Sequence, residues 1–158
     1  MAQKQTLFME TTEVPAERTA AEISSLLMQA GATQIATDCE GGWIVGLRWT
    51  MRIDGMELMF GMPARVKPLY ELFAQRKGWG RPYGADGKPT DPQLWLKATR
   101  VGWRQLFRWT QAQVAMIDTG MVKVQEVFLP YWRPDGAKSL FEMMENSKFK
   151  ALPEGKPQ

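Results

Sequence analysis

The chain has 158 residues, with 20 Lys and Arg against 17 Asp and Glu, for a net charge of +3. It contains no His and one Cys, which excludes a His-based triad, a His general base, a His-ligated metal and an internal disulfide. The 44% hydrophobic content is ample for a core, and no apolar run approaches the ~20 residues that a bilayer span requires.

Thr6 to Thr11 has the composition of a short first strand. Pro15 suits the first turn of a helix, with Glu13 and Glu17 placed well for its dipole. Ala16, Ala20, Ile23, Leu27 and Ala30 recur at helical spacing, and Gly31 is a stop. This predicts a helix over 15–30. A strand-rich block follows. A short partly β-branched segment, 33–38, leads to a turn at Glu40-Gly41-Gly42. Trp43, Val45, Leu47, Trp49, Met51 and Ile53 then alternate with Arg48, Thr50 and Arg52, the pattern of a half-buried strand. Asp54-Gly55 is a two-residue hairpin signal, and Met56, Leu58, Phe60 and Met62 continue the alternation.

A short helix is predicted over 66–76, carrying Leu69, Leu72 and Phe73. The Gly- and Pro-rich stretch 77–92 reads as a loop that holds Trp79 and Tyr83 beside Lys77, Arg81 and Lys88. Asp91 can cap and Pro92 can start a long helix ending before Gly120, a length of roughly 42 Å. A short helix over 121–129, a turn at Pro134-Asp135-Gly136 and a last amphipathic helix over 137–146 complete the domain, 1–152, with a frayed tail at 153–158. The expected architecture is α+β. An antiparallel sheet of three to four strands packs against an N-terminal helix and a long central helix, with short C-terminal helices.

Charge is unevenly distributed. Residues 1–60 carry 4 basic and 8 acidic residues, residues 61–111 carry 10 and 3, and residues 112–158 carry 6 of each. A basic middle third suits an anionic partner, either nucleic acid or an acidic protein surface. Its focus is the long helix, where Lys97, Arg100, Arg104 and Arg108 fall within an arc of about 80°. No acidic residue lies between Pro92 and Ile117. Solvated helix faces ordinarily mix signs, because Glu–Lys pairs at four-residue spacing stabilise them. A purely cationic strip asks for a counter-charge, from a ligand or from the acidic first third of the same chain. Arg predominates, and its planar fork suits phosphate. Trp79, Tyr83 and Arg81 in the adjoining loop add aromatic faces and charge, the combination that single-stranded nucleic acid uses. Trp79 serves equally well as an anchor for the loop.

Catalytic constellations are weak. Asp38 and Glu40 are spaced to share a Mg²⁺ ion, but Glu40 is also a turn residue. Asp86-Gly87-Lys88 describes a turn, and Gly78-x-Gly80 lacks the setting of a phosphate-binding loop. Cys39 has no His partner. No cofactor and no metal is implied, and the chain is not expected to be an enzyme. The N-terminal sequence Met1-Ala2-Gln3-Lys4-Gln5 lacks a signal-peptide core, and a lone Cys gives no disulfide framework, so the expected compartment is the cytoplasm, with no membrane association.

Ala16-Glu17-Arg18-Thr19, Glu22-Ile23 and Gly31-Ala32-Thr33, followed in order by Trp103-Arg104, Ala112, Gly120, Glu126-x-Phe128-Leu129-Pro130-Tyr131 and Pro134-Asp135-Gly136, resemble an uncharacterised family of small bacteriophage and mobile-element proteins. The resemblance spans 14–136, and the loop 77–92 is variable ground within it. It implies a phage or mobile-element origin and supplies no activity, cofactor or catalytic residue. The functional expectation is therefore a non-catalytic nucleic-acid-binding accessory protein, for example for single-stranded DNA. Phosphates would pair with Lys97, Arg100, Arg104, Arg108 and Arg81, and bases would stack on Trp79 and Tyr83. The alternatives are a protein-binding module, such as a host-defence inhibitor meeting an acidic host protein surface, and a carboxylate–Mg²⁺ nuclease. The nucleic-acid expectation requires that the cations on the long helix stay clear of the protein's own carboxylates.

Overall fold

The computed structural model describes residues 5–150. Helix α1, Ala16–Gln29, begins after Pro15 and buries Ala16, Thr19, Ala20, Ile23 and Leu27, one stripe at helical spacing. Three strands follow, β1 (Ala32–Glu40), β2 (Trp43–Ile53) and β3 (Met56–Pro63), forming an antiparallel sheet in the order β1-β2-β3. Both hairpins close through two residues with positive φ, Gly41 and Gly42 in the first and Asp54 and Gly55 in the second. That is the turn geometry whose twist matches the flanking strands.

Helix α2, Lys67–Arg76, is followed by a long loop and then by α3, Pro92–Asp118. The Asp91 side chain accepts a hydrogen bond from the Leu94 backbone N–H at 3.1 Å, so α3 is capped as its sequence implies. Helix α4, Val124–Phe128, runs directly into a 3-10 turn, Leu129–Tyr131. Helix α5, Leu140–Asn146, opens with a capping box between Ser139 and Glu142.

The main core lies between the sheet and the helices. Leu47, Trp49 and Met51 of β2 and Phe60 and Met62 of β3 meet Ile23 and Leu27 of α1 and Trp103 and Phe107 of α3. Phe128 seals it, with its ring 5.3 Å from Trp49 and 6.2 Å from Phe60. A second cluster joins Val66, Tyr70, Phe73 and Ala74 to Leu94, Ala98 and Val101 of α3. Helix α3 is therefore the shared wall of both clusters. Truncating a fully buried ring such as Trp103 to Ala would cost about 3–5 kcal/mol.

Three sequence expectations are corrected. Residues 6–11 form no strand. The Glu10 N–H donates to the Leu7 carbonyl and the Thr12 N–H to the Met9 carbonyl, and Met9 has φ 65°, so the segment coils. Leu7 packs against the second cluster instead of pairing at a sheet edge, and the sheet has three strands. The last helix begins at Leu140 and not at Ala137, because the Asp135 carboxylate takes the Ala137 and Lys138 N–H groups in a turn. The helix expected over 121–129 is shorter, Val124–Phe128, and tightens at its end. The tail at 153–158 lies outside the described residues.

Candidate functional site

The cationic face of α3 lies between α1 and α2, and the coiled segment 5–13 crosses it. The Gln105 side-chain amide donates to the Phe8 carbonyl at 2.9 Å, and the Arg76 guanidinium donates to the Gln5 carbonyl at 3.0 Å. This route brings Glu10 to the face. Glu10 pairs with Arg76 at 3.0 Å and stands 3.9 Å from Lys97. The Leu7 backbone N–H, donating to Glu10 at 2.7 Å, is the chief reason that this carboxyl titrates below the usual carboxylate range, with Arg76 and Lys97 adding to it.

The four cations of the strip meet different fates. Arg104 is only 14% exposed, donates to Glu22 of α1 at 2.7 Å and lies 4.2 Å from the Phe107 ring centroid. Glu22 also holds Arg18 at 3.4 Å. Arg104 is therefore an internal ion-pair partner, contrary to the expectation of a solvent-facing strip. Lys97 is exposed, sits over the Phe73 ring at 4.8 Å and has a loose contact with Glu10. Arg108 is exposed and bonds to the neutral Gln111. Arg100 is half-buried, and its Nε is enclosed without a hydrogen-bond partner.

The loop after α2 is pinned at several points. The Tyr70 hydroxyl donates to the Pro82 carbonyl at 2.6 Å, and the Thr90 hydroxyl donates to the Arg81 carbonyl at 2.6 Å. The Trp79 indole N–H donates to the Thr90 hydroxyl at 2.8 Å, yet Trp79 remains 48% exposed. It is anchored by one edge and open to solvent over the rest. Arg81 and Lys88 are exposed. Tyr83 differs from Trp79. Its hydroxyl donates to Glu71, its ring packs edge-on to Tyr70 at 5.4 Å, and Lys67 caps the ring at 5.3 Å. Burial and the Glu71 carboxylate raise its pKa, so the phenol stays protonated. Tyr83 is committed to holding the loop on α2.

Arg48 and Arg52 do not join the strip. Leu47, Trp49 and Met51 face α3, so the intervening residues point to the opposite face of the sheet. There Arg48 donates to Asp38 at 2.7 Å, which engages one of the two carboxylates considered for Mg²⁺. Among the described residues, no group of three or more His, Cys, Asp or Glu side chains is arranged to hold a metal ion, and no helix is long and apolar enough to cross a membrane.

Internal pairing reduces the basic middle third without balancing it. Among the described residues, Arg65, Arg81, Lys88, Arg100 and Arg108 make no ion pair, while Asp86 alone of the carboxylates in 61–111 is unpaired. Arg65 was not singled out from the sequence, where nothing distinguishes it from the paired Lys67 two residues on. The partners that remove Arg104 and crowd Lys97, namely Glu22 and Glu10, come from the acidic first third. No protein-family model, curated protein or solved structure matches this chain.

Proposed function

We propose that the protein binds nucleic acid without catalysing a reaction on it, and that single strands are its preferred form. The supporting observations are the cationic surplus that survives internal pairing across 61–111 and the exposed indole of Trp79 within the same stretch of chain. Arg81, Lys97, Arg100 and Arg108 supply charge for phosphates. Trp79 supplies a stacking surface, and sequence-tolerant binding of this kind needs only rings and cations. Arg104 and Tyr83 hold the surface in shape. The resemblance of the ordered motifs from Ala16 to Gly136 to phage and mobile-element proteins fits an accessory role for such a protein in the cytoplasm.

The test is a fluorescence anisotropy titration with single- and double-stranded oligonucleotides at two salt concentrations. Affinity should fall steeply as salt rises, because phosphate neutralisation releases counterions. Charge reversal at Arg81 and Arg108, both exposed, should abolish binding and leave the circular dichroism unchanged. Absence of binding at low salt would end the proposal. Capture of a host protein from nuclease-treated lysate, lost in the same variant, would favour the acidic-protein alternative.

A further inference from the structure

A cleft of about 500 Å³ lies where the segment 5–13 crosses the first half of α3. The segment contributes Glu10, Glu13 and neutral polar residues such as Thr11, and α3 contributes Gln93, Leu96, Lys97 and Arg100. The cleft has the size of a small-molecule site. Its chemistry is unusual for one, since among the described residues Leu96 is the sole apolar side chain in the lining and no aromatic ring contributes. A nucleobase would have nothing to stack on there.

The cleft offers charges of both signs, and Glu10, held by Arg76, stands 3.9 Å from Lys97. Lys97 and Arg100 are the cations. Lys97 has only a loose contact with Glu10, whose shorter partner is Arg76. Arg100 has no carboxylate partner among the described residues, and its enclosed Nε donates to nothing. An enclosed donor left unpaired is costly, and a shift of the side chain toward a ligand oxyanion would relieve it. Arg100 and Leu96 also line a second, smaller cleft with Glu17, Trp43 and Thr99. Opposite the cations stand acceptors and neutral donors. Glu13 is exposed, in no ion pair among the described residues, and suited to ligand hydroxyls, as are Gln93 and Thr11.

We infer that this cleft binds a sugar–phosphate unit, with the phosphate against Arg100 and Lys97 and the sugar hydroxyls against Glu13, Gln93 and Thr11. A bare anion would leave Glu10 and Glu13 facing like charge, and a purely apolar ligand would leave the guanidinium unanswered. The two halves of a sugar phosphate match the two halves of the lining. The unit has two sources, a free sugar phosphate and the 5′-phosphorylated end of a strand. The second source rests on the nucleic-acid reading, and the first does not.

The experiment is calorimetric titration of the full chain with ribose 5-phosphate, with ribose and inorganic phosphate as comparators. It is paired with anisotropy titration of the same oligonucleotide with and without a 5′-phosphate. Ribose 5-phosphate should bind saturably and more tightly than either comparator, and Arg100→Gln should weaken it at least about tenfold, the loss expected for a charge-assisted contact. Should Arg100→Gln fail to fold by circular dichroism, the exposed Gln93→Ala carries the test with a smaller loss. No binding of ribose 5-phosphate, or binding unchanged in the folded variants, overturns the inference even if oligonucleotides bind elsewhere. Binding of ribose 5-phosphate with no response to any oligonucleotide upholds the site and removes the nucleic-acid reading. A preference for the 5′-phosphorylated strand, lost in Arg100→Gln, upholds both.

Discussion

Removing Arg104 separates a structural cation from a ligand-binding one. The Arg104 side chain is 14% exposed and its partner Glu22 is 31% exposed, at a separation of 2.7 Å. The pair lies between two regimes. An exposed ion pair contributes about 0.2–1 kcal/mol. Breaking a buried one costs about 3–5 kcal/mol, because a charge is left behind without its partner. Arg104→Met leaves Glu22 with Arg18 at 3.4 Å and with access to water, which softens the loss. It also removes the guanidinium from the Phe107 ring. The expected destabilisation is about 2 kcal/mol, a fall in melting temperature of about 4–8 °C for a chain of this size. Glu22→Gln should cost less, about 1 kcal/mol, since the amide oxygen can still accept from Arg104. The double variant should show coupling of about 1 kcal/mol. Thermal unfolding followed by circular dichroism gives all three values. Oligonucleotide affinity of folded Arg104→Met should equal that of the parent chain. A variant that melts at the parent temperature and binds more weakly would refute the assignment of Arg104 to the interior and return it to the binding surface.

Trp79→Ala should leave the melting temperature nearly unchanged and weaken single-strand binding by about tenfold, the usual value of one base–aromatic contact; unchanged affinity in a titration would make Trp79 a loop anchor alone. Glu10 is held below the ordinary carboxylate range by the Leu7 N–H and then by Arg76 and Lys97. Its native pKa lies below its unfolded one, so its contribution to stability is present above the unfolded value and is lost as pH falls through the native one. Glu10→Gln should therefore melt lower than the parent at neutral pH, with the gap closing below the usual carboxylate range, and a gap independent of pH would contradict this. Gly46→Ala would set a Cβ 3.0 Å from the Met62 carbonyl oxygen and 3.3 Å from the Pro63 Cα, and should cost about 1–3 kcal/mol in denaturant unfolding. Gly80→Ala, with nothing within 4 Å of the added carbon, should change stability by less than about 0.5 kcal/mol.

Local features were legible in the amino-acid order because their causes are local. The Asp91-Pro92 start of α3, the stripe of Ala16, Ala20, Ile23 and Leu27, and the alternation along β2 each depend on neighbours within a turn or a pleat. The Asp54-Gly55 hairpin needed only two residues that accept positive φ. Residues 6–11 have the composition of a strand yet coil, for the complementary reason. Their conformation is set by Leu7 entering the cluster around Tyr70 and by Glu10 meeting Arg76, contacts that no local propensity encodes.

The sequence by itself determined that the middle third is basic and that four of its cations share one arc of one helix. Only the tertiary structure decided which of them are paired with the protein's own carboxylates. Arg104 and Glu22 are 82 residues apart in the chain, and Arg76 and Glu10 are 66 apart. Helical periodicity says which side chains share a face of α3, but not what covers that face. Here α1 and the coiled N-terminal segment cover part of it, because their apolar residues pack on the same two clusters that α3 divides. Once packed, they carry their carboxylates to the strip. Ion pairing in a folded chain follows from what hydrophobic packing brings within reach, and that is a property of the whole molecule.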